Sequence, residues 1–193
     1  MRPHRVSRWQ GRPGQWVATL TLLGLLLTVT PAVPAIPVGA NPVPPYTPLA
    51  PRPLGSALPS FAVLRRDSTL FTRADLAPHR PILVVFFLTG EMINQAELGE
   101  IATVAAAHPT LQVVLIGATG HDTPDAVYDF PARSGLPMPA YYDASYGGQS
   151  VRAAWGITAY PALIVADGNG IVRAGRQGFL SGTDLNAVVS GIE

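Results

Sequence analysis

The alternation of apolar and polar positions predicts an α/β domain from about Gly55 to the end of the chain. Short apolar runs bounded by turn residues are typical of strands, and apolar residues spaced three or four apart are typical of helices. In chain order, the predicted elements are a β-hairpin with strands at 61–64 and 69–71, a strand at 82–88, a helix ending near 108, a strand at 111–116, a helix from 123 that ends at Pro131 or soon after, a strand at 140–142, a helix containing 151–155, strands at 162–166 and 171–176, and a helix from 183. The run at 82–88 is apolar throughout, which is typical of a strand covered on both faces.

The first 40 residues predict an export signal. Four arginines precede an uncharged apolar stretch at 16–30, which as a helix would span roughly 22 Å, less than the roughly 30 Å of a bilayer core. Small residues at Val33-Pro34-Ala35 and Val38-Gly39-Ala40 offer cleavage sites, so the segment is either a cleaved signal peptide or an N-terminal membrane anchor. In both cases we expect the rest of the chain outside the cytoplasm, in the periplasm or at the cell surface.

The stretch between this signal and the domain is rich in proline. Ten of the 20 prolines fall between residues 31 and 60, and the sequence NPVPPYTPLAPR at 41–52 follows neither apolar period. We interpret 41–56 as a semi-rigid linker that tethers a domain at 57–193, with a proline-rich recognition ligand as the alternative.

Composition and charge exclude several classes of function. Residues 55–193 contain eight arginines and twelve acids, a net charge of −4, which argues against a nucleic-acid partner. The four histidines lie on different segments without metal-ligand spacing, and no serine has a G-x-S-x-G setting. We therefore predict no metal and no cofactor.

Two segments carry a resemblance to a known family. ILVVFFLTGEMINQAELGE at 82–100 reads as a buried strand, a Thr-Gly turn and the first half of a helix, and ALIVADGNGIVRAG follows Tyr160-Pro161 some 70 residues later. Together they resemble the thioredoxin-like superfamily, in particular the exported thiol:disulfide oxidoreductases of the TlpA/ResA type, over roughly residues 57–193. The resemblance implies a thioredoxin-like fold, with a central mixed sheet flanked by helices and an N-terminal β-hairpin. It also implies that the Tyr160-Pro161 bond is cis and lies beside the active-site turn.

The chain departs from the family where the family's chemistry resides. In TlpA/ResA-type proteins a tryptophan and a C-x-x-C motif occupy the turn, whereas here Gly90 replaces the tryptophan and Glu91-Met92-Ile93-Asn94 replaces the two thiols. The chain has no cysteine at all, and disulfide exchange requires a thiolate. The resemblance therefore implies the fold without the thiol chemistry, and an enzyme is not the expected function.

We expect a protein-binding surface made of the turn at 90–94 and the loop that ends at Pro161. The resemblance implies that the main chain around the cis proline pairs with an extended peptide, which needs no sulfur. The charge of Glu91 either imitates the family's thiolate or is an ordinary first-turn acid. Met92 and Ile93 form an exposed contact patch or fill the core, Tyr160 is an aromatic anchor or a packing residue, and Asn94 is a surface residue.

Three functions remain open. The first is a redox-inactive exported module that binds a protein partner at the cell envelope, as an assembly factor or accessory subunit. The second is a structural subunit of a membrane complex, held there by the N-terminal segment if that segment is not cleaved. The third is an enzyme with non-thiol catalysis or one that uses a partner's thiol.

Overall fold

The structure, a computed structural model, describes residues 54–90, 92–117, 120, 122–145 and 150–193, without the side chains of 92–94. The signal or anchor at 1–40, most of the linker at 41–56, and Glu91 lie outside these residues, so the predictions made for them stay predictions. Among the residues described, no helix is both long enough and apolar enough to cross a bilayer.

A seven-stranded mixed sheet forms the centre of the domain. Its strands are β1 (Ala62–Leu64), β2 (Leu70–Thr72), β3 (Ile82–Phe87), β4 (Gln112–Gly117), β5 (Ala140–Tyr142), β6 (Ala162–Ala166) and β7 (Val172–Gln177). They are arranged in the order β2-β1-β5-β4-β3-β6-β7. The strands β3, β4 and β5 run parallel to one another, and the remaining pairs are antiparallel.

In the part of the chain that the structure describes, four α-helices and one short 3-10 helix pack around this sheet or connect its strands. They are the 3-10 helix Arg73–Asp75, α1 (Met92–Ala107), α2 (Pro124–Arg133), α3 (Val151–Ala154) and α4 (Gly182–Ser190). The start of α2 follows the sequence prediction, because Thr123 accepts a hydrogen bond from the Ala126 amide at 3.3 Å and Pro124 occupies the first turn.

The core has two layers, one on each face of the sheet. All six residues of β3 are buried, as predicted for a strand covered on both sides. Because side chains alternate along a strand, Val84 and Phe86 face one layer with Trp155, while Val85 and Phe87 face the layer beneath α1 and α4.

The outer edge of β7 is partly covered by residues 55–58, which include the end of the predicted linker and the start of the predicted domain. The Gly55 amide donates to the Val172 carbonyl at 2.9 Å, the Val172 amide donates to Ser56 at 2.8 Å, and the Leu58 amide donates to Gly170 at 2.7 Å. Ile171, predicted as the first residue of the strand, forms an isolated bridge with Ala57 instead, so β7 begins one residue later.

Candidate functional site

The strand register brings the two predicted parts of the site to one edge of the sheet. β3 ends at Phe87, and the antiparallel β6 begins at Ala162, which lies opposite Phe86. The turn that follows β3 and the loop that precedes β6 are therefore neighbours. The Tyr160–Pro161 bond is cis, as predicted. We call the surface formed by 88–90 and 158–161 the proline site.

Of the residues predicted from the family's C-x-x-C turn, Gly90 belongs to this surface, and the backbone of 92–94 follows it closely in the chain. Gly90 is exposed, and a Cβ built on it would have no atom within 4 Å, so this position is open to solvent. The backbone of Met92, Ile93 and Asn94 forms the first turn of α1. Their side-chain roles, and the role of Glu91, remain predictions.

An aspartate missed in the sequence analysis fixes the turn after β3. The Asp122 carboxylate accepts hydrogen bonds from the Thr89 amide at 2.9 Å and from the Thr89 hydroxyl at 2.6 Å. Asp122 lies just before α2, so these bonds join two loops at the same edge of the sheet. The turn therefore has a defined position relative to the rest of the proline site.

A second polar side chain fixes the loop before Pro161. The Gln177 Oε1 atom accepts three hydrogen bonds, from the Thr158 amide at 2.8 Å, the Thr158 hydroxyl at 3.0 Å and the Ala159 amide at 2.9 Å. The next residue, Gly178, donates its amide to the Pro161 carbonyl at 2.7 Å. Thr158 and Ala159 are nevertheless exposed, so the loop is hydrogen-bonded to Gln177 and still accessible to a partner.

Tyr160 is half-buried and packs against the core layer that contains Trp155, which is one of the two roles left open by the sequence. Burial raises the pKa of its hydroxyl, and the Arg152 guanidinium, which forms a hydrogen bond with it, partly offsets this. Tyr160 is therefore a neutral phenol at physiological pH. Its use as an aromatic anchor for a partner remains a prediction.

Asp143 holds the backbone of Arg152 in place through a hydrogen bond. Its side chain is fully buried and accepts hydrogen bonds from the amides of Val151 at 2.8 Å and Arg152 at 2.9 Å. Burial raises the pKa of this carboxyl, and the two backbone hydrogen bonds and the charge of Arg152 oppose that effect. Asp143 therefore positions the start of α3 and, through it, the arginine beside Tyr160.

Glu97 is the third acidic group that the sequence analysis missed, after Asp122 and Asp143. Its side chain is only 1% exposed, and its Oε1 atom accepts a hydrogen bond from the Leu180 amide at 2.8 Å. Burial raises the pKa of Glu97 to about 7. A signal was present in the sequence, since Glu97 is four residues before Ile101 and thus on the apolar face of α1.

These groups position backbone and carry charge, but they do not form a recognisable catalytic set. The chain has no cysteine. Within the ranges that the structure covers, no three histidines, aspartates or glutamates are grouped so as to hold a metal ion.

Solved structures of known proteins decide the nature of the fold. A secreted Mycobacterium tuberculosis disulfide oxidoreductase homologous to E. coli DsbE superimposes with a TM-score of 0.58 and 20% identity, covering 68% of this chain and 95% of that one. The fold is thioredoxin-like. M. tuberculosis DsbF shares this thioredoxin-like fold with a TM-score of 0.58 and 25% identity, covering 69% of this chain and 95% of that one. StoA of Bacillus subtilis gives a TM-score of 0.54 at 14% identity, with 68% and 96% covered.

The structural neighbours confirm, as a likeness of fold, the resemblance drawn from the sequence. The thioredoxin-like fold extends over almost the whole length of these proteins, whereas the cysteines needed for disulfide exchange are absent from this chain. No family model and no curated protein sequence matches the chain.

Proposed function

We propose that this chain is a redox-inactive, exported thioredoxin-fold module that binds an extended segment of a partner protein at the proline site. The loop at 158–161 is the observation that carries the proposal. Two backbone amides, of Thr158 and Ala159, and the Thr158 hydroxyl donate hydrogen bonds to Gln177, while both residues stay exposed. A pre-ordered, accessible loop loses little conformational entropy when a peptide pairs with it.

The absence of cysteine limits what such a site does. A bound segment is held by main-chain hydrogen bonds and side-chain contacts, since no thiolate is available to form a mixed disulfide. Among the residues described, Tyr160 is a neutral phenol whose oxygen accepts from Arg152, and Asp122 and Asp143 are engaged by backbone amides. These groups suit binding better than nucleophilic chemistry.

Two observations support an extracytoplasmic location. The N-terminal sequence has the charge and apolar pattern of an export signal. One structural neighbour is described as a secreted disulfide oxidoreductase. At the cell envelope, the module would act as an assembly factor or accessory subunit, tethered or released according to whether the signal is cleaved.

The test is site-specific photo-cross-linking in cells from Ala159, with Asn169 as the control position. Both residues are exposed, but Asn169 lies in the turn at the far end of β6. We expect a defined protein to be captured from position 159 and not from 169, in a complex that a thiol reductant does not dissociate. Equal capture from both positions, or reduction of insulin disulfides by the pure chain, would contradict the proposal.

A matched pair of variants at Gln177 sharpens the test. Gln177→Glu keeps an oxygen acceptor for Thr158 and Ala159, whereas Gln177→Ala removes it. Capture from position 159 should persist in the glutamate variant and fall in the alanine variant. If both variants capture the partner as well as the unaltered chain does, the held loop is not the binding element.

A further inference from the structure

We propose that Glu97 is a positioning residue whose ionisation loosens the segment 178–182 and thereby weakens partner binding at the proline site. The effect on partner binding rests on the proposed function. The release of the segment is a property of the free chain and is measured separately.

Two carboxylates of α1 hold this segment. Glu97 accepts the Leu180 amide at 2.8 Å, and Glu100, one turn further along the helix, accepts the Gly182 amide. The Leu180 side chain is itself buried, so the segment is packed as well as hydrogen-bonded. The position of the segment 178–182, which leads into α4, therefore depends on α1.

The same segment reaches the proline site from its other end. The Gly178 amide donates to the Pro161 carbonyl at 2.7 Å, and Gln177, immediately before it, holds Thr158 and Ala159. Residues 177 to 182 thus connect the buried carboxylate to the loop that we propose as the binding element. A displacement of the segment changes the support of that loop.

Ionisation creates a conflict at Glu97. Among the residues that the structure describes, its Oε2 atom is buried and has no hydrogen-bond partner. Of the charged groups that face it, Glu100 on α1 repels the charge and Arg176 on β7 attracts it. On α4, the Asp184 carboxylate accepts from the Ser181 hydroxyl.

A neutral carboxyl group fits this environment, because one oxygen accepts the Leu180 amide and the other is buried without a charge. An ionised carboxylate needs water or more donors. Burial is the largest cause of the raised pKa of Glu97. Opening of 178–182 admits water to the carboxylate, since this segment contacts Glu97 through the Leu180 amide.

Amide hydrogen exchange of the full-length chain tests the release without any partner. We expect the protection factors of Leu180 and Gly178 to fall at least about tenfold between about pH 5 and about pH 8. Amides of β3 should stay better protected than Leu180 at both pH values, which marks the opening as local. Constant protection factors at Leu180 would overturn the inference.

Variants separate titration from packing. Glu97→Gln keeps an acceptor for Leu180 but cannot ionise, so its protection factors should not change with pH. Glu100→Gln removes one like charge nearby, so its transition should persist and move to lower pH. A pH transition of unchanged size in the Glu97→Gln variant would contradict the role of this residue.

The binding arm uses photo-cross-linking from Ala159 to the captured partner at the same two pH values. Capture should fall at the higher pH in the unaltered chain and remain constant in Glu97→Gln. If the hydrogen-exchange transition is present but capture does not change with pH, the inferred coupling between the segment 178–182 and the proline site is wrong. No capture at either pH, with the exchange transition intact, would instead refute the proposed function.

Discussion

Replacing Glu97 by glutamine is expected to stabilise the domain at about pH 8 and to stabilise it much less at about pH 5. The folded protein holds the Glu97 proton more tightly than the unfolded chain does, because burial raises the pKa from 4.5 to about 7. The free energy of unfolding therefore falls as the pH rises from about 4.5 to about 7 and stays at the lower value above that range.

The size of the effect follows from the same two values. A shift from 4.5 to about 7 corresponds to about 3 kcal/mol. Structural relaxation around the charge lowers this to an expected gain of about 2 to 3 kcal/mol for Glu97→Gln at high pH. For a domain of this size, that gain raises the unfolding temperature by roughly 6 to 10 °C.

Thermal unfolding of the full-length chain and of the variant, followed by circular dichroism, measures the difference. Glu100→Gln is the charge-matched control, since its partly exposed carboxylate lies one turn away and we expect a smaller gain. Equal stabilisation by Glu97→Gln at both pH values would show that ionisation is not the cause. Destabilisation at high pH would show that the carboxylate is favourable where it is, and would refute the reasoning.

Two further predictions concern the end of α1 and the end of β4. Hydrogen bonds to Asn186 and then Glu193 raise the pKa of His108, so the stability they contribute is present at low pH and is lost as the pH rises through the folded-state value. NMR titration should place the pKa of His108 above 6.5, and Glu193→Gln should lower it; an unchanged value would contradict the contact. Gly117→Ala should cost about 1 to 3 kcal/mol in urea unfolding, because its Cβ would collide with Val127, and the cost should shrink in a Val127→Ala background. Equal costs in both backgrounds would argue against this collision.

Local pattern was sufficient for most of the fold. The bounds of β5 and β6 agree with the sequence prediction, and α2 begins at Pro124, because short apolar runs and the Thr123-Pro124 cap act within a few residues. The cis Tyr160–Pro161 bond came from the family resemblance and not from the residues alone.

The supporting groups of the site were harder to foresee. Asp122 and Thr89 are 33 residues apart in sequence, and Glu97 and Leu180 are 83 apart, so nothing in the local pattern connects them. Asp143 reads as an ordinary loop acid until the fold places it under α3. Only Glu97 left a local trace, as a carboxylate on the apolar side of its helix.

The pairing of Gly55 and Ser56 with Val172 has a consequence for solubility. An uncovered edge strand can pair with a strand of another chain. Here Gly55 and Ser56 form hydrogen bonds with Val172 and so cover the first part of β7. Gly55 and Ser56 therefore occupy backbone groups at the start of β7 that a strand of another chain would otherwise pair with.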